Sequence, residues 1–178
     1  MLEKIEQIYD KLTKFLGNIL FIVMILMTMN VFYDVVMRYF FRSGSIAMQE
    51  MEWHLFSVVI LIGVSYSLME EAHVRVDVLY DKWSPKKKAM INMMGAIVFL
   101  LPISLLIALL SVDFVMEAYN SNEISGDPGG LKYRWIIKGL IPASFWLLIF
   151  FDIGYFVKNL NIYRREKEKE QLSNKGGN

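Results

Sequence analysis

Four stretches of this chain stay apolar for longer than a water-soluble helix tolerates. Phe15 to Tyr33 carries no charged side chain, nor does Trp53 to Met69 or Ala89 to Val112, and Trp135 to Val157 holds only Lys138 and Asp152. Crossing the hydrocarbon core takes about 20 mostly apolar residues in a helix. A surface helix of a soluble domain instead returns a polar residue to its wet face every three or four positions. The pattern therefore predicts an all-α membrane protein with four transmembrane helices near 15–40, 50–70, 89–117 and 136–158, which together make a membrane domain over 15–160.

The flanks and connections add detail. Residues 1–14 place Leu2, Ile5, Ile8 or Tyr9, and Leu12 at helical spacing. This predicts an amphipathic lead-in lying at the cytoplasmic interface, and a plain solvated extension of the first helix fits the same spacing. The leader is mixed in charge, the apolar run behind it is long, and no small-residue cleavage site follows, so the first span reads as retained. Ser43-Gly44-Ser45 breaks the first helix and puts Ser45 where it can cap the second. Glu50 and Glu52 fall in the first turns of that helix, where its dipole favours acids. His73-Val74-Arg75-Val76-Asp77-Val78 alternates polar and apolar residues, which suits either an extended segment or a short interfacial helix. Ser84-Pro85 is a helix start. Lys86, Lys87 and Lys88 oppose the new helix's dipole and suit the anionic headgroups of membrane lipids. A helix from Pro85 to Glu117 would run roughly 50 Å, well beyond the hydrocarbon core of about 30 Å, so it must tilt, kink or project. Pro102 and Pro142 are the kink candidates. Asp127-Pro128-Gly129-Gly130 is a turn, and residues 161–178 form a charged cytoplasmic tail expected to fray.

Charge changes the picture more than composition does. The chain has 178 residues, 55% hydrophobic, with 19 Lys and Arg against 18 Asp and Glu. A net charge of +1 argues against a nucleic-acid partner. The absence of cysteine excludes disulfides, thiolate metal sites and cysteine nucleophiles. The distribution is lopsided. Lys4, Lys11 and Lys14, then Arg75, Lys82, Lys86, Lys87 and Lys88, then Lys158, Arg164, Arg165, Lys167, Lys169 and Lys175 all fall on one side of the four spans. Only Arg38, Arg42, Lys132, Arg134 and Lys138 fall on the other. Basic flanks stay in the cytoplasm, which puts both termini there.

A few polar residues sit in or beside the spans. Asp34 and Arg38 are one helical turn apart, with Asn30 a turn earlier, so they can neutralise one another as an interfacial anchor or meet a neighbouring helix or subunit. Glu50 and His54 repeat the spacing around Trp53 and could form a carboxylate–imidazole pair, structural or proton-relaying. Asp113 and Glu117 do so near the outer end of the third helix. With Glu50, Glu52, Glu123 and Asp127 they make an acid-rich outer fringe, a docking surface for a soluble partner or simply a solvated helix end. Asp152 is the candidate for a charge buried in the membrane, where a partner contact would stabilise it. His54 and His73 lie at different depths and cannot bracket a haem.

Taken together these motifs resemble the small, DctQ-like membrane subunit of tripartite ATP-independent periplasmic (TRAP) transporters. The resemblance rests on Arg38-Tyr39-Phe40-Phe41, on Ser45-Ile46-Ala47-Met48-Gln49-Glu50-Met51-Glu52-Trp53-His54-Leu55-Phe56, on His73-Val74-Arg75-Val76-Asp77-Val78, and on Gly129-Gly130-Leu131 with Arg134-Trp135, Lys138 and Ile141-Pro142. It covers roughly residues 15–160. It implies a subunit of the bacterial inner membrane that is not an enzyme and carries no cofactor of its own. Its implied partners are a large multispan membrane subunit, which holds the sodium and substrate sites, and a periplasmic binding protein that delivers an organic acid anion. Asp34, Arg38, Glu50, Glu52, Trp53, His54, Asp113, Glu117, Arg134, Trp135 and Asp152 are then candidate partner contacts, and His73, Arg75 and Asp77 mark the cytoplasmic loop. The competing expectation is an independent small four-helix transporter or channel. The nearly apolar midplane of every span favours the scaffold, because a transport pathway needs broken helices and polar groups at that depth.

Overall fold

The computed structural model describes residues 2–72, 80 and 82–176, and the regular elements among them are all helices. Helix α1 spans Leu2–Phe40 and α2 spans Ile46–Met69. Helix α3 covers Pro85–Asn120 and α4 covers Trp135–Gly176. Each contains a window long and apolar enough to cross a bilayer. The chain is thus a multipass membrane protein with the all-α, four-helix architecture that its hydropathy predicts. The alternating segment and its candidate residues His73, Arg75 and Asp77 lie outside the described residues.

Both ends of the chain are helical among the described residues. Residues 2–14 continue α1 without a break, with Tyr9 and Thr13 buried and Glu3, Lys4, Gln7, Ile8, Asp10, Lys11 and Lys14 exposed. The Tyr9 ring packs on Phe150 and Phe151 of α4, with centroids 5.1 and 6.2 Å apart. Glu6 accepts a hydrogen bond from Asn161 at 2.7 Å, and Glu3 pairs with Arg165 at 2.9 Å. The tail is helical as far as Gly176. Good helix formers dominate there, with Glu and Lys alternating over 166–170. Lys169 pairs with Glu166 one turn earlier, and Lys86 of α3 pairs with Glu170. The start of α1 and the end of α4 therefore meet, and both termini lie at one end of the bundle, the terminal end. The 41–45 and 121–134 connections form the opposite loop end.

Helix α4 packs against each of the other three, α1 also packs against α2, and α3 makes no comparable packing against α1 or α2 among the described residues. Every fully buried residue of α3 is small: Ala89, Ala96, Ser104, Ala108 and Ala118. Small side chains let two helices approach closely, the packing favoured where lipid removes the hydrophobic drive. The larger core residues Leu16, Leu20, Leu68, Met69, Phe151 and Tyr155 gather in the terminal half.

Local chemistry explains how the helices start, bend and stop. Ser84 caps α3 as expected, its hydroxyl accepting from Lys87 N at 3.4 Å with Pro85 in the first turn. Ser45 occupies the N-cap of α2 in an extended conformation, but its hydroxyl makes no capping bond. It is exposed at this corner, where water competes for both groups. Pro102 lacks an N–H, and its ring crowds the carbonyl of Val98. That carbonyl lies inside a π-helical turn over Ala96–Leu100, which loosens the ladder just before the proline. Helices α1, α2 and α3 end alike. Arg42, Glu71 and Asn122 take positive φ, and the following amide bonds back to Met37, Ser67 and Ala118 respectively.

Candidate functional site

The loop end is built around Glu50. The side chain leaves the first turns of α2, and both of its carboxylate oxygens are engaged by the 121–134 connection. Oε1 accepts from the Ser125 hydroxyl, and Oε2 accepts from the Leu131 amide at 2.5 Å. Residues 75 and 81 positions away in the chain thus meet on one carboxylate.

The connection has a defined shape. Asp127 to Gly130 is a β-turn closed by Gly130 N to the Asp127 carbonyl at 3.0 Å, with Pro128 second and Gly129 third at φ 87°. This is the turn type that calls for glycine in third place. Two backbone bonds zip its legs: Ser125 N to Leu131 O at 3.1 Å and Arg134 N to Glu123 O at 3.2 Å. The Ser125 hydroxyl also accepts from Asp127 N at 3.1 Å. Gly130 has no room for a side chain, because a Cβ there would run into Ser125 and come within 2.8 Å of Glu50 Oε2. Glu123 pairs with Lys138, and Arg134 stands 3.8 Å from it. The Lys138 ammonium also sits over the Phe114 ring, 4.0 Å from its centroid. The Trp135 ring meets Tyr119 edge-on at 5.4 Å.

The other candidate residues divide by exposure. Asp34 is 4% exposed and pairs with Arg38, while Asn30 donates to the Met48 carbonyl at 2.9 Å, tying α1 to the first turn of α2. Asp34 is thus largely covered by its own chain, and its Oδ1 has no hydrogen-bond partner among the described residues. The expected Glu50–His54 pair does not form. His54 Nδ1 lies 2.6 Å from the Glu50 carbonyl oxygen instead, because the carboxylate is turned toward the loop. His54 lines an apolar recess of about 390 Å³ together with Leu55, Leu131, Tyr133, Ile136 and Leu140. Trp53 is 70% exposed, Glu52 is half-buried, and Asp113, Glu117 and Asp127 are exposed. The acid-rich fringe is thus smaller than expected, since Glu50 and Glu123 are both committed inside the loop joint.

Asp152 lies far from this group, roughly 27 Å along α4 from Arg134. It is 5% exposed, and its Oδ1 has no hydrogen-bond partner among the described residues. It is the buried charge position expected, but it faces the packed interior of its own bundle.

Reading by motif missed a second polar cluster, at the terminal end. Asn159 is 1% exposed, donates to the Tyr155 carbonyl at 2.9 Å and accepts from Asn92 at 2.9 Å. Asn92 also bonds the Tyr80 hydroxyl at 3.0 Å. A signal was present, because an asparagine in an apolar helix must find a partner. Ser125 gave no such signal in a polar loop.

Known proteins are similar to this chain in sequence. The family model described as tripartite ATP-independent periplasmic transporters, DctQ component, matches residues 27–161. A Haemophilus influenzae protein, provisionally named a TRAP transporter small permease protein, is 29% identical over 136 residues, which cover 76% of this chain and 84% of the relative.

Proposed function

The chain belongs to the DctQ component family of TRAP transporters, and from that premise we propose that it is the scaffold and docking subunit of a sodium-coupled importer of an organic acid anion. On this reading it sits in a bacterial inner membrane with both termini in the cytoplasm. The terminal end carries most of the chain's basic residues and the loop end few, which supports that orientation. A large multispan subunit carries the substrate and sodium sites, so this chain needs no cofactor. A periplasmic binding protein docks on the loop end.

The observation that carries the docking role is the Glu50 joint. It holds a solvent-facing loop in one shape, with Asp127, Pro128 and Gly129 exposed at its tip. A surface preorganised in this way loses less conformational entropy on binding than a mobile one. The apolar spans support the scaffold role, since exposed Leu, Ile and Phe side chains cover α1 and α3 on their outer faces.

Reconstitution tests the assignment. Proteoliposomes holding this chain and the large subunit should take up an organic anion only with the binding protein and a sodium gradient. Omission of this chain should abolish uptake. Uptake by this chain alone would instead make it an independent transporter.

A further inference from the structure

We propose that Glu50 serves docking as a positioning residue: it sets the shape of the 123–131 loop through Ser125 and Leu131 and does not itself touch the soluble partner. The inference rests on the reading above that this loop takes part in docking.

A carboxylate at the surface of an acid-rich fringe would ordinarily be read as a contact for a basic partner. The geometry here argues otherwise. Both oxygens of Glu50 face back into the chain, one on the Ser125 hydroxyl and one on the Leu131 amide. Ser125 passes the connection on by accepting from Asp127 N. A line of hydrogen bonds therefore runs from α2 through Glu50 and Ser125 to the exposed turn. Gly130 lies beside that line, where any side chain would strike Ser125 or Glu50. The α2 helix is further held to α1 by the Asn30 bond to Met48. The turn is thereby referenced to the membrane-embedded bundle and not only to its own legs.

Charge and shape can be separated by one substitution. In Glu50→Gln the amide oxygen can accept from Leu131 N while the amide nitrogen donates to Ser125 Oγ, so the joint persists without its charge. Glu50→Ala removes both acceptors and leaves the Leu131 amide and the Ser125 hydroxyl unpaired. Ser125→Ala removes one of the two bonds to Glu50 and the acceptor of Asp127 N, and Gly130→Ala crowds the joint without changing its charge.

The test uses the full chain co-purified with its large subunit in proteoliposomes. The chain has no cysteine, so Ile124→Cys, at an exposed loop position, takes a single nitroxide label. Two quantities are read for each variant: label mobility, and the binding-protein concentration giving half-maximal uptake. Glu50→Gln should match the parent in both. Glu50→Ala, Ser125→Ala and Gly130→Ala should each free the label. They should raise the half-maximal concentration by roughly fivefold to tenfold, as a smaller fraction of loops is competent, with the maximal rate kept. Two results would overturn the inference while leaving docking at this loop intact. One is a label that stays immobile in Glu50→Ala. The other is a Glu50→Gln variant as impaired in uptake as Glu50→Ala with its label still immobile, which would make Glu50 a charge contact. A freed label with unchanged dependence on the binding protein would show that the loop is positioned but docking lies elsewhere, and both readings would fall.

Discussion

Lys158 of α4 donates to the carbonyl oxygen of Met69, the final residue of α2, across 3.2 Å, and its ammonium lies 3.8 Å from Glu71. The last turn of a helix leaves carbonyl groups unpaired and carries partial negative charge. A cation supplied by a neighbouring helix answers both and fastens α2 to α4. Lys158→Met keeps the apolar stem and removes the ammonium. It should lower stability by about 1 kcal/mol, seen as a drop in the thermal midpoint of the detergent-solubilised chain, whereas Lys158→Arg should hold most of it. An unchanged midpoint in the Met variant would count against the cap.

The Asn92–Asn159 bond should behave as a coupled pair. Removing Asn92 leaves the buried Asn159 Oδ1 without its donor, and removing Asn159 leaves Asn92 with Tyr80 alone, so both single alanine variants should be destabilised. The double variant should be scarcely worse than the singles. A double-mutant cycle should give a coupling of roughly 0.5–1.5 kcal/mol. Strict additivity would mean that the bond contributes nothing.

Gly154 sets how closely α1 approaches α4. A Cβ at this position would enter the Tyr9 ring. Gly154→Ala should push the N-terminal turns of α1 away from α4, lower the thermal midpoint and speed tryptic cleavage after Lys4 and Lys11. Tyr9→Ala added to Gly154→Ala should return part of the loss. If Gly154→Ala alone leaves tryptic cleavage at the parent rate, the contact does not govern the packing of this segment.

Asp113 and Glu117 remain exposed near the loop end, unlike Glu50 and Glu123. If the fringe steers a basic partner surface, Asp113→Lys and Glu117→Lys should raise the binding-protein concentration needed for uptake, most strongly at low ionic strength. Co-purification with the large subunit should be unaffected. Equal loss at low and high salt would point to misfolding and not to steering.

Orientation has its own check. A reporter active only in the cytoplasm, fused after Asn178, should score positive. The same reporter inserted after Asp127 should score negative. The reverse pair of results would invert the docking face.

How much of this was legible in the chain depends on distance along it. The four spans follow from apolar runs that no soluble helix would carry. The turn at Asp127 to Gly130 follows from local backbone preferences, as does the start of α3 at Ser84. What could not be read is contact between segments remote in sequence. Glu50 and His54 have the spacing of a pair, but a loop 75 residues on offers the carboxylate a hydroxyl and an amide, and these win. Ser45 has the identity of a cap, yet its exposure leaves nothing to hold it in that role. The leader and the tail each look peripheral alone, and only their mutual contacts, Glu3 with Arg165 and Glu6 with Asn161, make both part of the bundle. Asp152 was recognisable as a membrane charge, but which way it faces depends on the rotation of α4, and that is set by Tyr9, Leu148 and Phe151.

The dependence of α3 on α4 has a bearing on how the protein is made. The ribosome releases α3 before α4 exists, so the stripe of Ala89, Ala96, Ser104, Ala108 and Ala118 first meets lipid. Lipid fits a row of methyl and hydroxyl groups poorly, and Ser104 then has no helix to pack against. Helices α1 and α2 can pair at once, while α3 waits as a lone span until the final quarter of the chain is inserted. A newborn chain stopped short of Trp135 would therefore carry α3 as an unpaired helix, its row of small side chains turned to lipid.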